Sequence, residues 1–172
     1  GSIDYQFEVL KPLNTIKIDA KNMEFSHVQI DNKDAVFLNT GKQLQIVYNF
    51  QKGKNHLSFE YVAKPKQALY FVDIENSEVQ IWTQGQGKYT SNWFPSFDDV
   101  NEKLIFSLGI TYDKEYQVIS NGILEEKIKK ENNLHWQYKM KKPMSSYLLM
   151  LAIGKFDKKE FNEIKLVSTK FL

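Results

Sequence analysis

The stretch "TQGQGKYTSNWFPSFDDV", Thr83 to Val100, gathers polar and aromatic side chains whose types and spacing suit chemistry. Two amides, Gln84 and Gln86, flank Gly85. An amide offers a neutral carbonyl acceptor and a two-donor NH2, so the pair suits recognition and not bond breaking. Asp98 and Asp99 are the adjacent acids of this stretch. Paired carboxylates divide acid and base roles when their surroundings push their pKa values apart. Neighbouring loop residues point apart, however, and the plainer role is a turn acid that accepts backbone amides. Trp82, Tyr89, Trp93, Phe94 and Phe97 cluster around the same stretch. They form either a platform for a sugar or peptide or wedges that hold the loop onto a sheet, with Pro95 as a stiffener.

Nothing else in the chain has the arrangement of a reactive centre. The three histidines, His27, His56 and His135, lie far apart, each in a run of strand character. A helical zinc site needs two His separated by a three-residue gap, as in His-Glu-x-x-His, and that spacing is missing. There is no Cys, which removes disulfides and thiolate sites and leaves the compartment open between cytoplasm and export. No Ser-His-Asp order and no Gly-rich phosphate loop can be read. Every basic residue is Lys, so bidentate Arg recognition is excluded. A net charge of +2, from 23 basic and 21 acidic residues, supplies no field to attract nucleic acid or an anionic membrane. No apolar stretch reaches transmembrane length.

The elements that must position these groups are strands. In "KQLQIVYNF", Leu44, Ile46 and Tyr48 share one face. In "HLSFEYV", Leu57, Phe59 and Tyr61 do the same, and "QKGKN" between the two runs predicts a hairpin around Gly53. "LIFSLGITY" and "HWQYKM" alternate likewise through Leu104, Phe106, Leu108, Ile110 and through Trp136, Tyr138, Met140. "TIKID", "SHVQI", "AVFLN", "LYFVDI" and "EVQIW" add shorter runs. Turn clusters at Asp31-Asn32-Lys33, Asn39-Thr40-Gly41, Ser120-Asn121-Gly122 and Glu131-Asn132-Asn133 punctuate them. "LEEKIKKENN" has helical propensity, but its place between two strand runs predicts a charged hairpin edge. With 42% hydrophobic and 14% aromatic residues, the chain has the composition of a folded domain. The expected fold is all-β, an antiparallel β-sandwich. Residues 3–172 read as a single sandwich domain, a fragment of a longer chain, and Gly1-Ser2 as a remnant of tag cleavage. Gly85 to Asn101 is the longest segment without strand character, and such loops on rigid sheets carry function.

"WTQGQGKYTSNWFPSFDDVNEKLIFSLGITYDKEYQVISNG" resembles the N-terminal domain of the M1 family of zinc aminopeptidases. Thr83, Gln84 and Gln86 match its Thr-Gln-x-Glu/Gln element, Phe94-Pro95 follow at the family's spacing, and Asp98 matches the next acid. Lys103, Phe106 and Ser120-Asn121-Gly122 continue the pattern, and "PMSSYLLMLAIGKF" resembles the segment that closes it. "TIKIDAKNMEFSHVQI" and "LSFEYVAKPKQALYF" resemble its upstream strands, so the likeness covers roughly Thr15 to Phe156. The departures point to a divergent branch. Thr90-Ser91-Asn92 stand where Asp-Ala-Arg-Arg is common, Ser96 replaces a Cys, and Asp99-Val100 replace Glu-Pro. "NMEF" at Asn22 lacks the Gly and Asn of the family's Gly-x-Met-Glu-Asn peptide-binding motif and is a decoy.

The resemblance implies a saddle-shaped β-sandwich packed on a catalytic domain of the same chain. The zinc ligands belong to that later domain, so no cofactor and no catalytic residue is expected here. It also implies that Gln86, and more weakly Gln84, helps hold the free amino group of a peptide substrate. Two other readings stand beside this one: the N-terminal domain of a catalytically dead relative serving as an interaction scaffold, and a free-standing module that binds sugar or peptide through the aromatic loop.

Overall fold

The computed structural model describes residues 1–74, 78–161 and 164–169. Sixteen strands fill it, with two single-turn 3-10 segments at Thr90–Asn92 and Ser146–Leu148 and no α-helix among the described residues. The first half contains β1 (Ser2–Val9), β2 (Leu13–Asp19), β3 (Met23–Ile30), β4 (Lys33–Asp34), β5 (Val36–Asn39), β6 (Gln43–Phe50) and β7 (Gly53–Ala63). They form two antiparallel sheets in the orders β1-β7-β3-β4 and β2-β6-β5. Alternation decides what lies between them. Ile3 and Val9, Ile18, Val28 and Ile30, Leu44, Ile46 and Phe50, and Leu57 and Phe59 turn inward from five strands into one core.

The second half repeats the layering with β8 (Leu69–Ile74), β9 (Glu78–Thr83), β10 (Lys103–Asp113), β11 (Gln117–Ser120), β12 (Ile123–Lys130), β13 (Asn133–Ser145) and β14 (Leu151–Gly154). The orders are β11-β14-β9-β8 and β10-β13-β12. Their core is built on Ile81, Phe106, Val118, Trp136, Tyr138, Leu151 and Ile153. The strands β15 (Phe156–Phe161) and β16 (Ile164–Thr169) pair with each other. The architecture is the all-β, antiparallel sandwich expected from the period-two runs.

One expectation fails. The runs around Gly53 are not a hairpin: β6 pairs with β2 and β5, whereas β7 pairs with β1 and β3. The chain crosses from one sheet to the facing sheet at Gln51-Lys52, with Gly53 at φ +136. The physical reason is that both runs present a full apolar face to the same core. Leu44 and Ile46 on β6 and Leu57 and Phe59 on β7 belong to one buried cluster, reached from opposite layers. Alternation shows which face is buried, not which neighbour a strand bonds. The expected charged edge does form: β12 is exposed throughout, borders its sheet and pairs with β13 across a turn at Glu131-Asn132. Lys side chains on such an edge discourage pairing with another chain. The opening strand was not anticipated; Ile3, Tyr5, Phe7 and Val9 alternate on β1, and Gly1 extends its pairing through bonds to Tyr61.

Candidate functional site

The loop from Gln84 to Glu102 joins β9 to β10 and lies where the two cores meet, because Phe94 packs against both of them. Its first turn is a tight one. Gln84 N–H donates to the Ala68 carbonyl (2.8 Å), and Tyr89 N–H closes back on the Gly85 carbonyl (3.1 Å). Gly85 is buried, and a Cβ there would meet Thr90 Oγ1 at 2.5 Å and the Tyr147 carbonyl at 2.7 Å. Only a residue without a side chain lets the strand end lie this close to the Ser146–Leu148 turn. Gly87 (φ +89) and Lys88 (φ +66) are both left-handed, which for Lys88 costs about 1 kcal/mol that its surroundings must offset. Thr83 anchors the strand end by accepting the Leu151 N–H at Oγ1 (2.8 Å).

This turn leaves Gln84 and Gln86 exposed, and neither amide side chain has a hydrogen-bond partner among the described residues. Both candidate recognition groups thus lie on one short turn with their full hydrogen-bonding capacity unused.

The acidic pair behaves in the plainer of its two ways. Asp98 Oδ2 accepts from Ser91 Oγ (2.6 Å) and Lys21 Nζ (3.2 Å), and Oδ1 accepts from Ser91 N–H (3.3 Å). Its own N–H donates to Asp19 Oδ2 (3.0 Å). Asp99 Oδ1 accepts the N–H (2.9 Å) and side-chain amide (3.2 Å) of Asn101, an Asx turn. These carboxylates organise the loop. The aromatics mostly wedge it: Trp93 is buried, Phe94 bridges the cores, and Phe97 packs against Tyr5 with the rings tilted and their centres 6.0 Å apart. Trp82 and Tyr89 remain exposed, Trp82 against Tyr70 at 4.7 Å.

Residues that sequence reasoning did not single out hold the loop from both sides. From the first half, Tyr5 OH donates to the Pro95 carbonyl (2.8 Å), and Asp19 and Ser96 exchange both backbone bonds (2.9 and 3.0 Å). Lys21 N–H donates to the Ser91 carbonyl (2.7 Å). From the second half, Ser145 Oγ donates to the Val100 carbonyl (2.5 Å) and Ser146 Oγ to the Phe97 carbonyl (2.7 Å). Burial pushes the Tyr5 hydroxyl well above its ordinary value, with Tyr61 beside it adding to the shift; burial alone pushes Tyr61 up to about 12. Neither phenol is a base near neutral pH. Three buried side-chain atoms without a partner among the described residues, Thr90 Oγ1, Trp93 Nε1 and Ser96 Oγ, all fall in this loop.

The histidines are separate. His56 meets Asp4 (2.8 Å), His27 meets Glu60 (3.2 Å), and His135 meets Thr111 (2.9 Å). Among the described residues no three His, Asp or Glu side chains group closely enough to hold a metal ion. The donor set of these residues does not fit zinc.

Residues 1–148 match the sequence pattern of the Peptidase M1 N-terminal domain. The chain belongs to that family. This match takes in β1, which the sequence resemblance had left out. Among similar proteins, the probable aminopeptidase 1 of Sulfurisphaera tokodaii is 26% identical over 143 residues, 83% of this chain and 18% of that protein. Aminopeptidase N of Lactococcus lactis is 27% identical over 154 residues, 86% of this chain and again 18% of the relative. The M1 zinc metallopeptidase of Deinococcus radiodurans superposes with a TM-score of 0.80 at 12% identity, over 96% of this chain and 41% of that one. Yeast LTA4 hydrolase in complex with bestatin gives 0.76 at 21% identity, over 93% and 26%. At these identities the structural likeness establishes the fold. The M1 N-terminal domain described here spans about a fifth of the length of the curated relatives it matches.

Proposed function

We propose that this domain supplies the amino-group end of the peptide-binding pocket of an M1 zinc aminopeptidase, with Gln86 as the principal acceptor and Gln84 as a secondary one. The zinc and the hydrolytic step belong to a catalytic domain in the same polypeptide. The observation that carries the reading is the state of Gln86. Its amide is exposed, bonds to nothing among the described residues, and sits on a turn fixed from both sides. It occupies the last position of the Thr-Gln-x-Glu/Gln element.

The chemistry suits that role. An α-ammonium is a compact cation with three donors and needs several acceptors around it. A Gln carbonyl gives one directional bond without the desolvation cost of a carboxylate. A hydrogen bond to a charged group contributes about 1.5–3 kcal/mol net, enough to set affinity for a free N-terminus. Asp98 is not a competitor for this cation, because its oxygens already serve Ser91 and Lys21. In the whole peptidase, Gln86→Ala is expected to raise KM for peptides with a free amino group. Unchanged kinetics on those substrates would remove Gln86 from the pocket.

A further inference from the structure

Lys21 lies more than sixty residues from the loop in sequence, at the corner where the chain leaves β2 for β3 in the facing sheet. Its backbone N–H is already fixed to the Ser91 carbonyl (2.7 Å). Its ammonium then does two things at once. It donates to the Lys88 carbonyl at 2.8 Å and pairs with Asp98 Oδ2 at 3.2 Å. Lys88 is the left-handed residue that closes the turn, two positions beyond Gln86. The Asp98 side chain is only 10% exposed and the Lys21 side chain 35%. The carboxylate is largely removed from water while the ammonium is partly exposed, so the pair is screened less than one between two fully exposed side chains. Lys21 Nζ also stands 6.0 Å from the centre of the Tyr89 ring.

We propose that Lys21 is a positioning residue for Gln86: its ammonium ties the Gly85–Tyr89 turn to Asp98 and so holds the Gln86 amide in one place. The proposal rests on the reading of Gln86 as an amino-group acceptor and adds the residue that makes that acceptor preorganised. A left-handed non-glycine residue stays in that conformation only where its surroundings over-determine it. Here the fixing bond is the one from Lys21 to the Lys88 carbonyl. Without it, the turn keeps the Tyr89 N–H to Gly85 carbonyl bond and the Asn92 bonds to the Tyr89 carbonyl, but the Lys88 carbonyl between them loses its side-chain partner. An acceptor that must be ordered on binding loses part of its contribution to the cost of ordering. No Arg exists in the chain to replace this cation.

The experiment has two arms. In the 172-residue chain, amide hydrogen exchange is followed at Tyr89 and Ser91 and, as a fold control, at Ile46 and Ile153 in the two cores. Lys21→Met keeps the aliphatic stem and removes the charge. It is expected to speed exchange at Tyr89 and Ser91 about tenfold and leave the core amides unchanged. Lys21→Arg, which restores a cation with several donors, is expected to restore protection. In the whole peptidase, Lys21→Met is expected to raise KM for free-amine peptides with little change in kcat, to regain most of it as Lys21→Arg, and to add nothing on top of Gln86→Ala. Loop exchange that stays at the wild-type rate in Lys21→Met overturns the proposal. So does a wild-type KM in Lys21→Met alongside a raised KM in Gln86→Ala. A silent Gln86→Ala instead sinks the pocket reading itself, and the kinetic role of Lys21 falls with it.

Discussion

Residues 84–89 and 90–98 of the loop are neighbours that differ in exposure and in how their candidate recognition groups are used. In residues 84–89 every residue but Gly85 is exposed, and the Gln84 and Gln86 amides are unused. In residues 90–98 Thr90, Ser91, Trp93, Pro95 and Ser96 are buried, and Asp98 engages Ser91, Lys21 and Asp19. Of the acidic pair, Asp98 has both carboxylate oxygens engaged, and Asp99 commits one oxygen to its Asx turn. The groups that look inert, the two amides, are the ones with capacity left. What a side chain has left over after folding, not its nominal reactivity, decides whether it can meet a ligand.

Substitutions can break this contrast at graded strengths. Gly85→Ala should have the largest effect. Its Cβ has no room against Thr90 Oγ1 and the Tyr147 backbone, and we expect about 3 kcal/mol of destabilisation in urea unfolding. A loss below about 0.5 kcal/mol would show that the turn yields easily and that the first half of the loop is not fixed by packing. Asp98→Ala should follow at about 2 kcal/mol, because Ser91 loses its acceptor and Lys21 its partner in a mostly buried setting. The same variant should raise exchange throughout residues 88–98.

Tyr5→Phe is expected to cost about 1 kcal/mol, the net worth of its bond to the Pro95 carbonyl. It also tests the alkaline limb of the stability curve. Burial raises the folded-state pKa of Tyr5 and Tyr61 above their unfolded value of about 10. Protonated phenols therefore stabilise the fold fully below pH about 10, and that contribution is lost as pH climbs through the folded values. Unfolding free energy should fall from pH about 10 upward, and less steeply in Tyr5→Phe, which has one fewer phenol to titrate. An identical slope in both proteins would mean that Tyr5 is not the group responsible. The smallest effect belongs to Gln86→Ala, whose stability should stay within about 0.5 kcal/mol of wild type because its amide supports nothing in the fold.

Much of this was legible in the sequence where the physics is local. Alternation in "KQLQIVYNF", "LIFSLGITY" and "HWQYKM" gave the buried faces correctly, since strand period and burial are set by neighbouring residues. Asn-rich and Gly-containing turns marked where strands end, as at Asp31-Asn32 and Gly41, which take positive φ. Pairing was not legible. β6 and β7 read as a hairpin because two adjacent amphipathic runs look the same whether they bond edge to edge or face each other across a core. Lys21 was also out of reach. It sits on a strand corner remote from the loop, and the need it meets becomes visible only once Asp98 is seen buried without an Arg in the chain. The turn-acid role of Asp99 was readable, because its partner Asn101 is two residues away.

The central claim is that the open half of the loop recognises a free amino terminus. Steady-state kinetics of Gln86→Ala in the proposed full-length aminopeptidase, on one peptide with a free and one with an acetylated N-terminus, tests it most directly. The account predicts that KM for the free-amine peptide rises about tenfold or more, the loss of one hydrogen bond to a cation, while weak inhibition by the acetylated peptide is unchanged. Equal constants for wild type and variant on the free-amine peptide would contradict it.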